Sequence, residues 1–312
     1  MELLRGIHNI RDRHRGCVLT IGAFEGVHLG HRAVLGHLVA RGREEGLPSV
    51  VVTLEPLPRE YFAPVQAPAR ITSFREKYEL LRALDIDRVL LIRFDQQLQR
   101  MEAEEFITQV FVEKLGARHV VVGDDVRFGH DGRGDFTLLR SLGVEHGFTV
   151  EDTATLMLAE QRVSSTRIRQ LLEQGDFIAA EALLGRPYSI TGHVVYGKQL
   201  GRTIGIPTAN IALNRLRAAM SGVYAVVVKG VKGQERGLAG VANVGTRPTI
   251  NDLIEAILEV HLLDFNDDLY GQRLCVEFHH KIRDEQKFAS LDILQQHIQR
   301  DIDKARDYFA AR

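Results

Sequence analysis

The sequence predicts an α/β domain with a doubly wound parallel sheet, followed by a small antiparallel β-barrel with a closing helix. Its length of 312 residues suggests two domains. From residue 17 to about 150, short apolar runs alternate with stretches of helical periodicity, a pattern typical of a parallel sheet covered on both faces. After residue 187, strand-like runs follow one another with turns between them, which favours an antiparallel barrel.

The N-terminal half supplies the strands and helices of the predicted parallel sheet. Runs with the length of buried strands occupy residues 17–21, 49–54, 88–92 and 119–122, and a further strand begins at Phe148. Helical spacing covers residues 31–40, 103–115 and 136–146. Ser73 and Glu76 form a capping box, so another helix starts there and runs to about Leu84. Residues 55–70 carry four prolines and are predicted to form a loop.

The C-terminal half follows a helical stretch at residues 171–184. The Gly-Arg-Pro at residues 185–187 ends that stretch, so we expect domains at residues 1–184 and 185–312. The predicted barrel strands are residues 188–196, 222–228, 235–244, 255–262 and 274–282. The closing helix is predicted over residues 290–308, with Ser290 as its N-cap.

Composition and charge exclude several classes of protein. Lys and Arg number 40 against 41 Asp and Glu, a formal net charge of −1, so no basic excess predicts a nucleic-acid partner. Cys17 and Cys275 each lie in an apolar strand-like run and are expected to be buried thiols in a reducing compartment. The sequence shows neither a signal peptide nor a run as long as a membrane span. We therefore expect a soluble, cytoplasmic protein without a membrane partner.

The stretch between the first predicted strand and the first helix is rich in glycine and histidine, since residues 20–31 read TIGAFEGVHLGH. The glycines remove side chains where the backbone must turn or let a ligand approach. His28 and His31 lie where the helix should begin, and the unpaired N–H groups and dipole of a helix start suit phosphate. Imidazoles there can donate to phosphate oxygens and carry charge when an anion is bound. The alternative is a surface loop with two solvated histidines, or a core turn.

Two further stretches of the first half are predicted to approach a ligand. The glycine-rich loop 123–134 follows a strand, as the turn at Gly22 does, so both should open at the carboxyl edge of the sheet, where ligands bind. A helix that starts at residues 164–169 can be capped by serine, and its N–H groups again suit phosphate. Arg167 and Arg169 could neutralise phosphate charge. An ordinary N-cap followed by solvated arginines is the alternative.

The second half contains a glycine-rich turn at residues 197–210, which read GKQLGRTIGIPTAN. Thr208 and Asn210, at alternate positions of an extended segment, put two neutral oxygens on one side. Such oxygens suit Mg²⁺, which bridges substrate phosphates, and the glycines let backbone N–H groups approach phosphate. A barrel turn with an Asx cap is the alternative.

A carboxylate in a later strand is the candidate general base. Glu259 and His261 share one strand face, while Leu258, Val260 and Leu262 share the other. If the leucines face the core, Glu259 points to the opposite face, where a carboxylate can accept a proton from an alcohol that attacks a phosphoryl group. A solvated strand glutamate is the alternative.

The spacing of the two histidines resembles the HxGH signature of the nucleotidylyltransferase superfamily. The order of residues 22–31, 54–56, 70–81, 123–134 and 164–169 resembles the adenylyltransferase domain of the prokaryotic bifunctional riboflavin kinase/FAD synthetases. This resemblance implies that His28 and His31 are catalytic and hold ATP phosphates. It places Asp125 and Phe128 in a loop used for flavin or adenine, and we assign both to flavin. It implies nucleotide contacts for Gly22, Phe24, Gly30, Ser165, Thr166 and Arg169.

The segments at residues 197–210, 259–271 and 282–288 resemble the riboflavin kinase domain of the same family, whose PTAN motif stands unchanged at residues 207–210. The resemblance implies that Thr208 and Asn210 bind Mg²⁺ and ATP phosphates. It implies that Glu259 is the base that activates the ribityl 5′-hydroxyl of riboflavin. Phosphate contacts are implied for Gly197, Lys198 and Arg202, and a flavin contact for Arg283.

The resemblance implies a bifunctional enzyme that phosphorylates riboflavin to FMN and adenylylates FMN to FAD, with ATP as donor in both steps and Mg²⁺ as cofactor. Three residues depart from the family pattern: Ala23 stands where Asn is usual, Glu25 where Asp is usual, and Leu57 where His is frequent. Two alternatives stay open. One is a riboflavin kinase with a weakened or inactive adenylyltransferase domain, and the other is a non-catalytic flavin- or nucleotide-binding module.

Overall fold

The computed structural model describes residues 1–158, 161–197, 205–213, 215, 217–248 and 254–312. The chain divides into two compact units. The α/β unit comprises Met1–Pro68 and Lys77–Val163, and the barrel unit comprises Ala69–Glu76 and Ser164–Arg312. Within the described ranges, no helix combines the length and the apolar character needed to cross a membrane.

The α/β unit is built on a sheet of six parallel strands in the order β1-β4-β3-β2-β5-β6. The strands are β1 (Glu2–Arg5), β2 (Cys17–Ile21), β3 (Ser49–Glu55), β4 (Arg88–Arg93), β5 (Ala117–Gly123) and β6 (Thr149–Thr153). All five strands predicted in this half are confirmed. The four-residue edge strand β1 was not predicted, because four residues are too few to show a period.

Helices cover both faces of this sheet, as predicted. They are α1 (Leu29–Glu45), α2 (Pro58–Phe62), α3 (Phe74–Arg82), α4 (Gln96–Arg100), α5 (Ala103–Phe106, continued as a π-helix over Ile107–Lys114) and α6 (Phe136–His146). Short 3₁₀ turns occupy Ile7–Asn9, Asp12–His14, Glu25–Val27 and His130–Gly132, and a small hairpin pairs β7 (Met157–Leu158) with β8 (Gln161–Arg162). The predicted loop at residues 55–70 contains the short helix α2, which begins at a proline, the residue that fits a first helical position.

The two faces of the sheet belong to separate hydrophobic clusters. Val18 packs with Leu35 and Leu38 of α1, whereas its neighbour Leu19 packs with Phe106 and the π-helix that follows. Successive strand side chains point to opposite faces, so one buried strand feeds both clusters. This arrangement leaves the carboxyl ends of the strands to carry the loops.

The barrel unit begins with two helices and closes with a third. It contains α7 (Ser165–Gln174), α8 (Phe177–Leu184), β9 (Ser189–Val195), β10 (Ala209–Ile211), β11 (Gly222–Lys229), β12 (Leu238–Pro248), β13 (Ile254–Leu262), β14 (Arg273–Arg283) and α9 (Leu291–Ala310). The strands form a closed antiparallel barrel in the order β10-β13-β12-β11-β14-β9. The predicted barrel and closing helix are confirmed, and Ser290 caps α9 by accepting from the N–H of Ile293 at 3.3 Å.

The closing helix α9 packs on the outside of the barrel. Its Ile302 and Ala305 are buried against Val223 and Ala225 of β11 and Val241 of β12. One part of the outer wall is thereby covered with apolar side chains. The strands β9, β10 and β13 lie in another part of that wall, and they carry the polar residues of the second predicted motif.

Candidate active sites

The first candidate site is the turn between β2 and α1 in the α/β unit. His28 is the N-cap of α1, and its Nδ1 accepts a hydrogen bond from the backbone N–H of His31 at 3.2 Å. Because Nδ1 is the acceptor, a neutral His28 carries its proton on Nε2, the form that donates to a phosphate oxygen. The histidines therefore stand at a helix start, as predicted.

His31 stacks on His28 and is held in an apolar setting. The two ring centroids are 3.6 Å apart, and the ring of Phe24 meets His31 edge-on at 5.3 Å. Burial, followed by the charges of His28 and Lys77, lowers the pKa of His31 well below its usual range. Nδ1 of His31 is buried and finds no hydrogen-bond partner in the described part of the chain. An orphaned polar atom of this kind is typical of a ligand site.

The turn that carries these side chains is strained. Phe24 and Val27 have positive φ angles of 47° and 41°. Such angles cost a non-glycine residue about 1–3 kcal/mol and cluster at functional sites. Gly30 lets the His28 ring lie close, since a Cβ there would come within 3.2 Å of two ring atoms. Gly22 directly follows β2 and opens the turn.

Lys77 of α3 is a residue that sequence reasoning missed. Its side chain is 1% exposed, and its Nζ donates to the carbonyl oxygen of Ala23 at 2.8 Å and to Oγ1 of Thr53 at 3.4 Å. The signal was in the helix pattern: Lys77 lies three residues after Phe74 and four before Leu81, on the apolar face. A lysine on that face is buried beside the histidine turn.

An exposed aromatic cluster lies at the carboxyl ends of β3 and β4. Tyr61, Phe62 and Phe94 are in mutual edge-to-face contact, with ring centroids 5.3 to 5.7 Å apart. Phe62 is 57% exposed. A surface of this kind fits a planar apolar group. Sequence reasoning treated the segment as a loop, although adjacent Tyr and Phe between prolines were a signal.

The two predicted flavin residues of the loop after β5 lie in different environments. Asp125 is exposed and pairs with Arg162 of the β7–β8 hairpin, which also lies 3.5 Å from Asp124. Phe128 is 6% exposed and packs in a core cluster of the sheet. The flavin contacts of Asp125 and Phe128 stay predictions.

The residues of the predicted SSTxIR stretch begin α7 in the barrel unit. Ser164 is the cap, since its Oγ accepts from the N–H of Arg167 at 3.3 Å. Ser165 is half-buried and Thr166 is exposed. Arg169 donates from Nε to the carbonyl of Ala69 at 2.6 Å. Their nucleotide contacts stay predictions.

The second candidate site lies on the outer face of the barrel. Asn210 of β10 and Glu259 of β13 are directly opposite each other in the antiparallel register, so their side chains share a face. Both are half-buried, whereas Leu258 and Val260 are buried on the other face, as the alternation predicted. Gly197 lies against Asn210, because a Cβ at Gly197 would be 2.4 Å from the amide nitrogen.

The strands that carry this pair also border a cavity of about 730 Å³. It is lined by Thr208, and by Ala209 and Val260, the sequence neighbours of Asn210 and Glu259. The stacked rings of Tyr196 and Tyr270, with centroids 4.0 Å apart, form another part of its wall. Thr208 therefore lines the cavity, whereas Asn210 and Glu259 are not among its lining residues and lie on the outer face of the strands.

The donor set of the barrel site fits a hard cation that is shared with phosphate. Asn210 offers a neutral oxygen on the same strand face as the Glu259 carboxylate, and Thr208 offers another at the cavity wall. Within the described ranges, no three His, Cys, Asp or Glu side chains are grouped to hold a metal by themselves. A cation that keeps water and phosphate ligands needs only one or two protein oxygens.

The remaining predicted residues lie apart from this pair or outside the described ranges. Arg283 is in an ion pair with Asp301 of α9, with Nη2 2.8 Å from Oδ2, and its guanidinium lies over the Phe288 ring at 5.4 Å. Its flavin contact stays a prediction. Lys198 and Arg202 fall outside the described residues.

Fold and sites together define a two-domain transferase, with a nucleotidylyltransferase-type α/β domain and a kinase-type barrel. The profile of the FAD synthetase family matches residues 10–167, and that of the riboflavin kinase family matches residues 184–309. The chain belongs to the family of bifunctional riboflavin kinase/FMN adenylyltransferases.

Similar proteins cover nearly the whole chain. A bifunctional riboflavin kinase/FMN adenylyltransferase of Pseudomonas fluorescens is 50% identical over 98% of this chain and 97% of its own length. One from Escherichia coli K12 is 48% identical over 99% of this chain and 98% of its own. A crystal structure described as a macrolide-efflux protein from Streptococcus pneumoniae superposes with a TM-score of 0.78 at 30% identity, covering 98% of this chain and 99% of that one.

Proposed function

We propose that the chain transfers the γ-phosphoryl group of ATP to riboflavin, and then transfers AMP from a second ATP to the resulting FMN. The products are FMN, FAD and pyrophosphate. The observation that carries the proposal is the cross-strand pair of Asn210 and Glu259, which puts a carboxylate beside a neutral oxygen donor on the outer face of the barrel. The family membership of both halves supports the same assignment.

The kinase step takes place at the barrel site. Glu259 accepts the proton of the ribityl 5′-hydroxyl as that oxygen attacks the γ-phosphorus. The bond from the γ-phosphorus to its bridging oxygen breaks, and ADP leaves. Thr208 and Asn210 would hold Mg²⁺ with the ATP phosphates, and the bound cation would neutralise phosphate charge. Phosphate contacts are proposed for Gly197, Lys198 and Arg202.

The adenylyl transfer takes place at the histidine turn. A phosphate oxygen of FMN attacks the α-phosphorus of ATP, and the bond to the pyrophosphate oxygen breaks. His28 and His31 hold the phosphates with the N–H groups at the start of α1, and Gly22, Phe24 and Gly30 shape the turn around them. Nucleotide contacts are proposed for Ser165, Thr166 and Arg169. Mg²⁺ is proposed here also, because the polyphosphate carries the same charge.

The flavin of the adenylyl transfer requires an apolar surface as well as a polar one. We propose that the isoalloxazine ring lies against the cluster of Tyr61, Phe62 and Phe94, since aromatic side chains stack on planar rings. Asp125 is proposed as a polar contact from the same sheet edge. A flavin contact is also proposed for Phe128, which is buried in the core of the sheet. In the kinase step, a riboflavin contact is proposed for Arg283.

The functional boundary is proposed between residues 184 and 185. The two family profiles support it, because the first ends at residue 167 and the second begins at residue 184. A cytoplasmic location is proposed on the two free thiols at Cys17 and Cys275, which suit a reducing compartment.

A product assay tests the proposal. Purified protein is mixed with riboflavin, ATP and Mg²⁺, and the flavins are separated by chromatography over time. We expect FMN first and FAD after it. FMN that accumulates without FAD, even when FMN is the added substrate, would identify a kinase with an inactive adenylyltransferase domain. If no new flavin formed, the enzymatic proposal would fail, and the alternative of a non-catalytic flavin- or nucleotide-binding module would remain.

A pair of matched variants tests the role of the carboxylate. Glu259→Gln is expected to bind riboflavin and to form no FMN, because the amide cannot accept the proton. Glu277→Gln is the control, since Glu277 lies on β14 in an ion pair with Lys229. Normal FMN formation by Glu259→Gln would contradict the assignment of the base.

A further inference from the structure

The α/β unit contains a buried lysine for which the phosphate-binding motif has no role. Lys77 is among the largest fully buried side chains of the described chain, at 1% exposure. Lysine is almost never fully buried, because an ammonium out of water loses several kcal/mol of hydration unless it is well bonded. A methionine of similar volume would fill the same space without that cost. The retained charge therefore indicates a task beyond packing.

The ammonium is bonded to the turn that carries the site. Nζ donates to the carbonyl of Ala23 at 2.8 Å and to the fully buried Thr53 hydroxyl at 3.4 Å. The next residue, Phe24, is the one with φ of 47°, and its ring makes a T-shaped contact with the His31 ring, with centroids 5.3 Å apart. A chain of contacts thus runs from the lysine to an imidazole of the site.

The charge also acts on the same imidazole. After burial and His28, Lys77 is the third influence that lowers the pKa of His31. A cation beside this turn raises the local positive potential at the start of α1, where the helix dipole already favours anions. The hydrogen bonds of Lys77 and its charge therefore both affect His31.

We infer that Lys77 is a positioning residue of the adenylyl-transfer site: its ammonium holds the turn at Ala23, and through Phe24 fixes the ring of His31 for the ATP phosphates. The inference rests on the proposed function of this turn. It requires no contact between the lysine and substrate. Ala23, whose side chain has no polar group, contributes through its carbonyl.

The test compares Lys77→Met with Lys114→Met. Methionine is similar in length to lysine, but it has no charge and cannot donate the hydrogen bonds to Ala23 and Thr53. Lys114 is an exposed lysine at the end of the π-helix, so its loss controls for charge alone. We expect Lys77→Met to lower kcat/KM for FAD formation from FMN about 100-fold, the scale of a displacement of about 1 Å in a site. Riboflavin phosphorylation should be unchanged in both variants.

A second readout separates positioning from a general loss of structure. The imidazole of His31 is followed by NMR over pH, and we expect it to titrate at higher pH in Lys77→Met than in the wild type. Loss of the lysine charge alone raises the pKa of His31, so Thr53→Val, which keeps the charge and removes one acceptor of the lysine, separates positioning from the effect of charge. Lys77→Met that melts like the wild type and retains the FAD rate would overturn the inference.

Two outcomes need a further measurement. If Lys77→Met does not fold, Thr53→Val removes one acceptor with little change of shape, and a smaller loss of FAD formation with a shifted His31 titration is expected. An unchanged Thr53→Val overturns the inference. If the wild type forms no FAD, the proposed adenylyl transfer fails, and the His31 titration with ATP affinity by calorimetry still decides whether Lys77 positions the ring.

Discussion

At the scale of single residues, the neutral state of His31 has a consequence for stability. Its pKa is well below the usual range, chiefly because of burial and then because of His28 and Lys77. Between that lowered pKa and the ordinary value of 6.5, the unfolded chain binds a proton that the folded chain does not. The unfolding free energy therefore rises with pH across this window. At pH values below the window it is lower than at pH values above it.

Replacing His31 should remove this pH dependence. We expect urea unfolding of the wild type to lose free energy as the pH falls through about 6.5 and below, and the loss to be smaller in His31→Gln. The control is His8→Gln, which replaces an exposed histidine of the same unit. Equal slopes in the wild type and His31→Gln would contradict the depressed pKa.

The absence of a side chain at Gly197 leaves room for the amide group of Asn210. A Cβ at Gly197 would lie 2.4 Å from Nδ2 and 2.6 Å from Oδ1 of Asn210. Gly197→Ala should push the amide aside and lower riboflavin phosphorylation by about tenfold to 100-fold, with more Mg²⁺ needed for half-maximal rate. FAD formation from added FMN should not change.

Kinase rates at several Mg²⁺ concentrations measure this effect. Gly36→Ala is the control, because it adds the same methyl group where no atom lies within 4 Å. A Mg²⁺ dependence that is identical in Gly197→Ala and the wild type would speak against a role of Asn210 in holding the cation.

At the scale of elements, the start of α3 depends on a buried ion pair within the barrel unit. Nη2 of Arg215 lies 2.6 Å from Oε2 of Glu76, with 0% and 8% side-chain exposure, and Oε1 of Glu76 accepts from the N–H of Thr191 at 2.6 Å. Arg215 also donates to the carbonyls of Arg70 and Ile71. The pair therefore binds the segment before α3 to the barrel.

Arg215→Met should destabilise the barrel unit by about 3–5 kcal/mol, because it leaves the buried carboxylate of Glu76 without its charge partner. The double variant Arg215→Met with Glu76→Gln should recover part of this loss, since no charge then stays buried. Arg306→Met, which breaks the exposed pair with Asp264, should leave the unfolding free energy nearly unchanged. Urea unfolding measures all three, and equal losses for Arg215→Met and Arg306→Met would contradict the expectation.

The same helix shows how far sequence reasoning reaches. Ser73 and Glu76 were predicted as a capping box, which is confirmed by bonds of 2.6 and 3.3 Å, because a cap depends on residues three apart. The partner Arg215 is 139 residues from Glu76, and no local pattern indicates it. The helix pattern put Lys77 on an apolar face, but its acceptor Ala23 lies 54 residues away and could not be identified from that local pattern.

For the strands and the sites too, the sequence predicted features that depend on local patterns and missed those that depend on distant partners. Periodicity predicted the parallel strands and the face of Glu259, because alternation is local. It did not predict β10, whose three residues are too few to show a period and are held by pairing with β9 and β13. The cross-strand neighbour of Glu259 could be named only from this register.

At the scale of the whole molecule, the two key side-chain sets lie in different compact units. His28 and His31 are in the α/β unit, and Asn210 and Glu259 are in the barrel unit. Each unit has its own buried cluster, so a conservative change in one site should not spread to the other. The two activities should therefore be separable by single substitutions.

Mixing two inactive variants tests this separation. Glu259→Gln should make FAD from FMN but no FMN from riboflavin. His28→Asn removes the imidazole while Asn can still cap α1, and it should make FMN but no FAD. An equimolar mixture given riboflavin, ATP and Mg²⁺ should form FAD after a lag, because FMN released by one variant must accumulate before the other binds it. A mixture that stops at about one FMN per molecule of His28→Asn and forms no FAD, while Glu259→Gln alone converts added FMN, would mean that FMN does not leave the molecule that makes it.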